Sequence, residues 1–167
     1  MLNQNKRMRR PIWIAIAAIL ALLAGAVFFY LSSARDPAFY IDPIDSQAVS
    51  SGEKIYVQHC VACHGKKLEG QPNWRTRLPN GRLPAPPHDE TGHTWHHADI
   101  LLFDIVKHGL VPGRTAPPGH ESDMPAYGTI LSDAEIIAVL AYIKSTWPEE
   151  VREMQREASQ RHRHRHD

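Results

Sequence analysis

Three residues stand at a spacing that does chemistry: Cys60, Cys63 and His64, in the run Cys60-Val61-Ala62-Cys63-His64. C-x-x-C-H is the spacing of covalent haem attachment. On a helix, positions i and i+3 share a face, so both thiols reach the two vinyl groups of one porphyrin and form thioethers. His64 follows four positions after Cys60 and points the same way, offering its imidazole to the iron. Gly65 comes next, without a side chain, and lets the helix end there. C-x-x-C also serves dithiol redox chemistry, disulfides and zinc sites. A thioredoxin-like dithiol sits near alternating strands and helices, and this chain shows no such alternation. A four-ligand zinc site needs further Cys or His pairs at matching spacing, and the chain has 2 cysteines. The expectation is one covalently bound haem.

A second iron ligand must come from elsewhere. Met1 and Met8 precede a long apolar run and Met154 lies in a charged tail, whereas Met124 falls inside the domain, in Asp123-Met124-Pro125. A thioether is a soft ligand that favours ferrous iron and raises the potential. Met124 is the expected axial ligand, with His88, His93, His96, His97, His108 and His120 as competitors. No catalytic residue is expected: the iron cycles between Fe(III) and Fe(II) and the protein is an electron carrier, not an enzyme. The rival reading, a haem enzyme or gas sensor, needs an open iron position and hence Met124 off the iron.

The elements that must position these residues read as helices. Ser50 with Glu53 fits a capping box, opening a helix that runs through Gly52, Ile55, Tyr56 and His59 into the motif. A middle helix spans Asp99 to His108, with Ile100, Leu101, Phe103, Ile105 and Val106 inward and Gly109 beyond its end. Ser132 with Glu135 forms another capping box, and Ile136, Ile137, Val139, Leu140 and Ile143 give the closing helix an apolar face before Pro148 stops it. Residues 65–98 and 109–130 are Pro-dense loops, with Pro79, Pro84, Pro86 and Pro87 around the turn signal Asn80-Gly81. Loops this long need something to pack on, and a haem is a large apolar disc. Nothing reads as a strand, so the fold class is all-α.

The flanks complete the organisation of the 167 residues. Residues 1–11 form a basic N-terminus, with Lys6, Arg7, Arg9 and Arg10. Residues 12–31 are free of charge and, as a helix, span about 30 Å, a bilayer core, with Trp13 at one end and Phe28, Phe29 and Tyr30 at the other. A cleaved signal peptide competes, since Ser32-Ser33-Ala34 loosely resembles a cleavage site. The run exceeds the usual apolar region of a signal, so an uncleaved single-pass signal-anchor is expected. Its basic side stays cytoplasmic, which places the remainder in the periplasm of a bacterial inner membrane. Residues 32–50 read as a linker, 51–148 as the haem domain, and 149–167 as a charged His/Arg-rich tail. In that tail 149–160 form a solvated helix, and Arg161 to His166 are disordered or weakly metal-binding. Deleting 158–167 is expected to leave haem content and potential unchanged. The net charge is +1, and residues 51–148 hold nine Lys/Arg against ten Asp/Glu. That balance gives no argument for a nucleic-acid partner, none being expected, and no large single-signed docking surface can be read from the composition. Lys66 and Lys67, beside the motif, bias docking toward an acidic patch.

Gly52-Glu53-Lys54-Ile55-Tyr56, the C-x-x-C-H run with Gly65, Met124-Pro125, and Leu131-Ser132 through Tyr142-Ile143 fall in an order that resembles a class I c-type cytochrome. The resemblance covers about residues 50–148. It implies a helical domain around one haem, with the first and last helices crossing at Gly52 and Tyr56 and Tyr142 packed there. It also implies a proline carbonyl, of Pro86 or Pro87, on the imidazole of His64. The long segment from Pro84 to His97 departs from small soluble members and is similar to bacterial membrane-anchored monohaem types. The resemblance implies haem c as cofactor and redox proteins as partners: a bc-type complex, a terminal oxidase or a dehydrogenase. The alternative is a cytochrome subunit held in a larger dehydrogenase, reductase or oxidase complex.

Overall fold

The structure is a computed structural model and describes residues 14, 16, 18–27 and 39–163. The chain divides into two units, Met1–Ala38 and Phe39–Asp167. In the first, residues 18–27 are helical, with Leu20, Leu22 and Leu23 exposed. Among the described residues no helix is long and apolar enough to cross a membrane. The span expected at 12–31 lies partly outside them, and the basic segment 1–11 and residues 32–38 and 164–167 lie wholly outside.

The second unit is helical, with no strand among the described residues. Five α-helices follow in order: α1 Ser46–His59, α2 Val61–His64, α3 Asp99–His108, α4 Asp133–Ser145 and α5 Glu149–Arg163, with a 3-10 turn Thr94–His96 before α3. α1 begins earlier than expected. Asp45 Oδ1 accepts from the N–H groups of Gln47 and Ala48 at 3.0 and 3.1 Å, which caps the helix and leaves Ser50 and Glu53 inside it. The expected linker therefore ends sooner. Ile41 is fully buried and its N–H donates to Asp99 Oδ2 at 3.0 Å, so residues 39–45 belong to the folded unit.

α4 forms as expected, with both halves of the Ser132/Glu135 capping box present. Ile136, Val139, Leu140 and Ile143 enter a core shared with Tyr56, Leu102, Leu131 and Trp147. α1 crosses α4 at Gly52, which meets the backbone of Ala138, and Tyr56 packs on Tyr142 with ring centroids 5.4 Å apart.

α3 turns inward a face that only partly follows its hydrophobic pattern: Phe103 and Val106 pack on the core as expected. Ile100 is exposed, and Leu102 and Asp99 are the buried residues. Asp99 accepts from Lys144 Nζ at 2.7 and 2.8 Å, which holds its carboxylate in the core and fixes the rotation of the helix. Leu102 then faces the core one turn on.

The C-terminal segment also departs from expectation. α5 buries Val151, Gln155, Ala158 and Ser159, a stripe at i, i+4, i+7, i+8. Gln155 Nε2 donates to Asp99 Oδ1 at 2.7 Å and to His97 O at 3.2 Å, and Asp99 N–H donates to Ser159 Oγ at 3.0 Å. Residues 149–163 are part of the domain rather than a solvated tail. Truncation after Glu157 is therefore expected to destabilise the protein by about 1–3 kcal/mol, because it removes Ala158 and Ser159 from the end of the buried stripe and orphans the buried Asp99 N–H. Urea unfolding of the truncated protein checks this; an unchanged midpoint would return the segment to solvent.

Candidate functional site

The motif sits where α1 hands over to α2. Cys60 is the C-cap of α1, its N–H donating to Tyr56 O, and also precedes α2. Two tyrosines fasten this junction. Tyr56 Oη donates to Gly65 O at 2.9 Å, and Tyr127 Oη donates to His59 O at 2.8 Å. Both cysteines are free thiols, Cys60 half-buried and Cys63 exposed. Burial, helped by the neighbouring Cys63, pushes the Cys60 thiol up to about 11, so it stays protonated at neutral pH.

His64 is buried, and its Nδ1 lies 2.9 Å from Pro86 O. A carbonyl only accepts, so Nδ1 carries the ring proton and Nε2 the lone pair. Burial lowers the His64 pKa, opposed by the Pro86 carbonyl. The ring is thus neutral, oriented and in the tautomer that ligates through Nε2. Of the two candidate prolines it is Pro86 that holds it. The Pro87 carbonyl instead accepts from Thr94 Oγ1 at 3.4 Å. The thiols of Cys60, at the N-cap of α2, and of Cys63, within it, together with the oriented imidazole of His64 at its end, form a donor set that fits a covalently attached haem.

His88, expected only as a competitor for the iron, takes a different place: it packs on His64. The His88 ring stacks on His64 with centroids 3.9 Å apart and planes at 20°. Its own Nδ1 lies 2.8 Å from Thr94 Oγ1, its N–H donates to Leu68 O at 2.7 Å, and its carbonyl accepts from Trp147 Nε1 at 2.7 Å. Burial first, then His64 and His93, push its pKa well down, so a neutral ring backs the neutral imidazole of His64. The available signal was its place directly after Pro86-Pro87. Gly92 lets the chain approach: a Cβ there would stand 2.1 Å from Pro87 O.

Met124 is half-buried, in the loop between α3 and α4. Its N–H donates to Ser122 Oγ at 3.0 Å. Just beyond it, Tyr127 N–H donates to Val106 O and Gly128 N–H to Lys107 O, each at 2.9 Å, which ties the loop to the last turn of α3. The competing histidines have other neighbours. His93 stacks on Trp74 at 5.3 Å, His96 on Trp95 at 3.6 Å, His97 meets His93 edge-on at 5.4 Å, and His108 Nε2 lies 3.5 Å from Asp104. Among the described residues no three His, Cys, Asp or Glu side chains are arranged to hold a metal ion.

His93 and His97 have lowered pKa values, each from burial first and then from neighbouring cationic groups, His96 and Arg75 for His93, His93 and His96 for His97. A depressed folded value means that the unfolded chain takes up protons first as pH falls. Stability is expected to be complete above pH ~6.5 and to fall below it. Urea midpoints between pH 7.5 and 5 check this, and His93→Asn with His97→Asn should flatten the curve only in part, since His64 and His88 are lowered too.

Residues 49–147 match the family model described as cytochrome c. The cytochrome c subunit of gluconate 2-dehydrogenase from Pantoea cypripedii is 30% identical over 103 residues, covering 62% of this chain and 21% of that protein. The chain spans about a fifth of that relative's length. No solved structure matches it.

Proposed function

The chain belongs to the cytochrome c family, and on that premise we propose that it is a single-haem carrier of electrons tethered to the outer side of a bacterial inner membrane. The family implies covalently bound haem c and electron transfer. In this reading Cys60 and Cys63 would hold the haem through thioethers, and His64 and Met124 would bind its iron. Residues 12–31 anchor the protein, with residues 1–11 cytoplasmic and the haem domain periplasmic. Bound haem supplies a one-electron couple. The chain's own residues keep the ligands in place. Pro86 holds the Nδ1 proton of His64, His88 backs its ring, and the loop ties at Tyr127 and Gly128 limit the travel of Met124. Few groups then need to move when the charge on the iron changes. The fixed, neutral His64 beside two free thiols carries this reading.

The electrons pass between redox proteins of respiratory type: a bc-type complex, a terminal oxidase or a dehydrogenase. Lys66 and Lys67 are exposed beside Cys63 and favour an acidic face on such a partner. A second reading is favoured by the relative named as a dehydrogenase cytochrome subunit: the domain would be held in a dehydrogenase complex rather than move between partners. Co-purification after mild detergent extraction separates the two.

The test is an optical spectrum of full-length protein made in cells able to attach haem, with haem staining on a denaturing gel. Haem that survives denaturation, low-spin iron and a sulfur-to-iron band are expected. Cys60→Ser with Cys63→Ser should abolish the stain. Met124→Ala should abolish the band and lower the midpoint potential. High-spin iron in the unmodified protein would overturn the carrier reading.

A further inference from the structure

The loop that carries Met124 leaves α3 at Gly109 and reaches α4 at Asp133, and its two ends are tied to α3. At the first end, Arg114 lays Nε and Nη2 on the Asp104 carboxylate at 3.0 and 2.9 Å, and Thr115 Oγ1 donates to Gly109 O at 2.7 Å. At the other end, the backbone ties of Tyr127 and Gly128 reach Val106 and Lys107. Between them runs Pro117-Pro118-Gly119-His120-Glu121-Ser122-Asp123, whose two prolines donate nothing. Among the described residues, the tertiary polar contacts of this stretch converge on one side chain from the other long loop. Asp123 Oδ1 accepts from Arg82 Nη1, and Glu121 lies 3.6 Å from Arg82 Nε.

Arg82 is itself held by a closed turn. Its N–H donates to Asn80 Oδ1 at 3.0 Å, its carbonyl accepts from Leu78 N–H at 2.8 Å, and Arg77 Nη1 braces Gly81 O at 2.6 Å. The guanidinium is presented from a built support rather than from a free loop.

We infer that Arg82 is a positioning residue for Met124: by clamping Asp123, one position before it, Arg82 joins the two long loops and restrains the thioether. The inference rests on Met124 being the axial ligand. The thioether would leave an iron it held only as the loop moved, and the clamp lies one position before it. Pairs at this exposure are modest in strength and screened by salt, so the effect is graded.

Imidazole added to the ferric holoprotein competes with Met124 and reports how often the loop lets go. Optical titration of the wild type, Arg82→Gln, Arg82→Glu and the swap Arg82→Asp with Asp123→Arg provides the test. Arg82→Gln is expected to tighten apparent imidazole binding roughly two- to five-fold. Arg82→Glu, which faces two carboxylates, should tighten it further, and the swap should return toward wild type. High salt should weaken the clamp and move the wild type toward Arg82→Gln. Unchanged imidazole affinity in Arg82→Gln, with a sulfur-to-iron band present and lost in Met124→Ala, would overturn the inference and leave the ligand reading standing. A band that is absent, or that persists in Met124→Ala, would overturn both.

Discussion

Asp99→Ala is expected to destabilise the protein by about 3–5 kcal/mol, the usual cost of stripping one partner from a buried ion pair. Asp99 and Lys144 are both essentially inaccessible. The carboxylate takes Lys144 Nζ on both oxygens, Ile41 N–H on Oδ2 and Gln155 Nε2 on Oδ1. It therefore joins the segment before α1, the start of α3, the end of α4 and the inner face of α5. Burial lowers the Lys144 pKa, and Asp99 is the largest influence opposing that shift. Alanine at 99 would leave an ammonium in the core without its hydrogen-bonded carboxylate, and leave the Ile41 and Gln155 donors without their acceptor. The pair taken as a unit is worth far less, since two desolvation costs offset its attraction. Asp99→Leu combined with Lys144→Met should therefore recover part of the loss, but not all, because Ile41 and Gln155 still lose a partner. Urea unfolding of the holoprotein and a double-mutant cycle measure both. A cost below about 1 kcal/mol for Asp99→Ala would mean that Lys144 reaches water, contrary to its burial.

How far the sequence discloses this arrangement depends on how local each cause is. The C-x-x-C-H run is legible because five consecutive residues carry its logic, and the Ser132/Glu135 box because its partners are three positions apart. The start of α1 is not. Asp45 and Ser50 both offer an N-cap, and what decides between them is Ile41 reaching Asp99, 58 positions away. α5 is hidden for a related reason. Its inner stripe contains Gln155 and Ser159, which look solvated until a buried carboxylate is known to face them. The same carboxylate misleads the reading of α3, where a charge at the first position points inward and Ile100 outward. In the site, residue types suffice to select His64, but the choice of Pro86 over Pro87 and the stacking of His88 arise from how a Pro-rich loop folds back on the motif. Hydrophobic periodicity has no access to such a loop.

Gly52→Ala is expected to cost about 3 kcal/mol or more, the upper range for overpacking a tight contact, although alanine is the better helix former by about 1 kcal/mol. A Cβ at Gly52 would lie 1.9 Å from Ala138 O, 2.5 Å from Ala138 C and 3.0 Å from Tyr142 Cβ. The first two obstacles are backbone, so no rotamer change relieves them; α1 and α4 must move apart. That motion reaches the site by a short route. Tyr56 lies one turn beyond Gly52, packs on Tyr142 and fastens Gly65 through its hydroxyl. Cys60, the next turn, donates its N–H to Tyr56 O. Separation of the helices therefore shifts both ends of the C-x-x-C-H motif, and stability and cofactor loading should fall together if that motif holds the haem as proposed. The urea midpoint and the haem-to-protein ratio, measured on the same preparation, check the coupling. A destabilised protein with full haem loading would show that the crossing supports the fold without setting the geometry of Cys60, Cys63 and His64. A protein as stable as wild type would mean that the helices do not meet at Gly52.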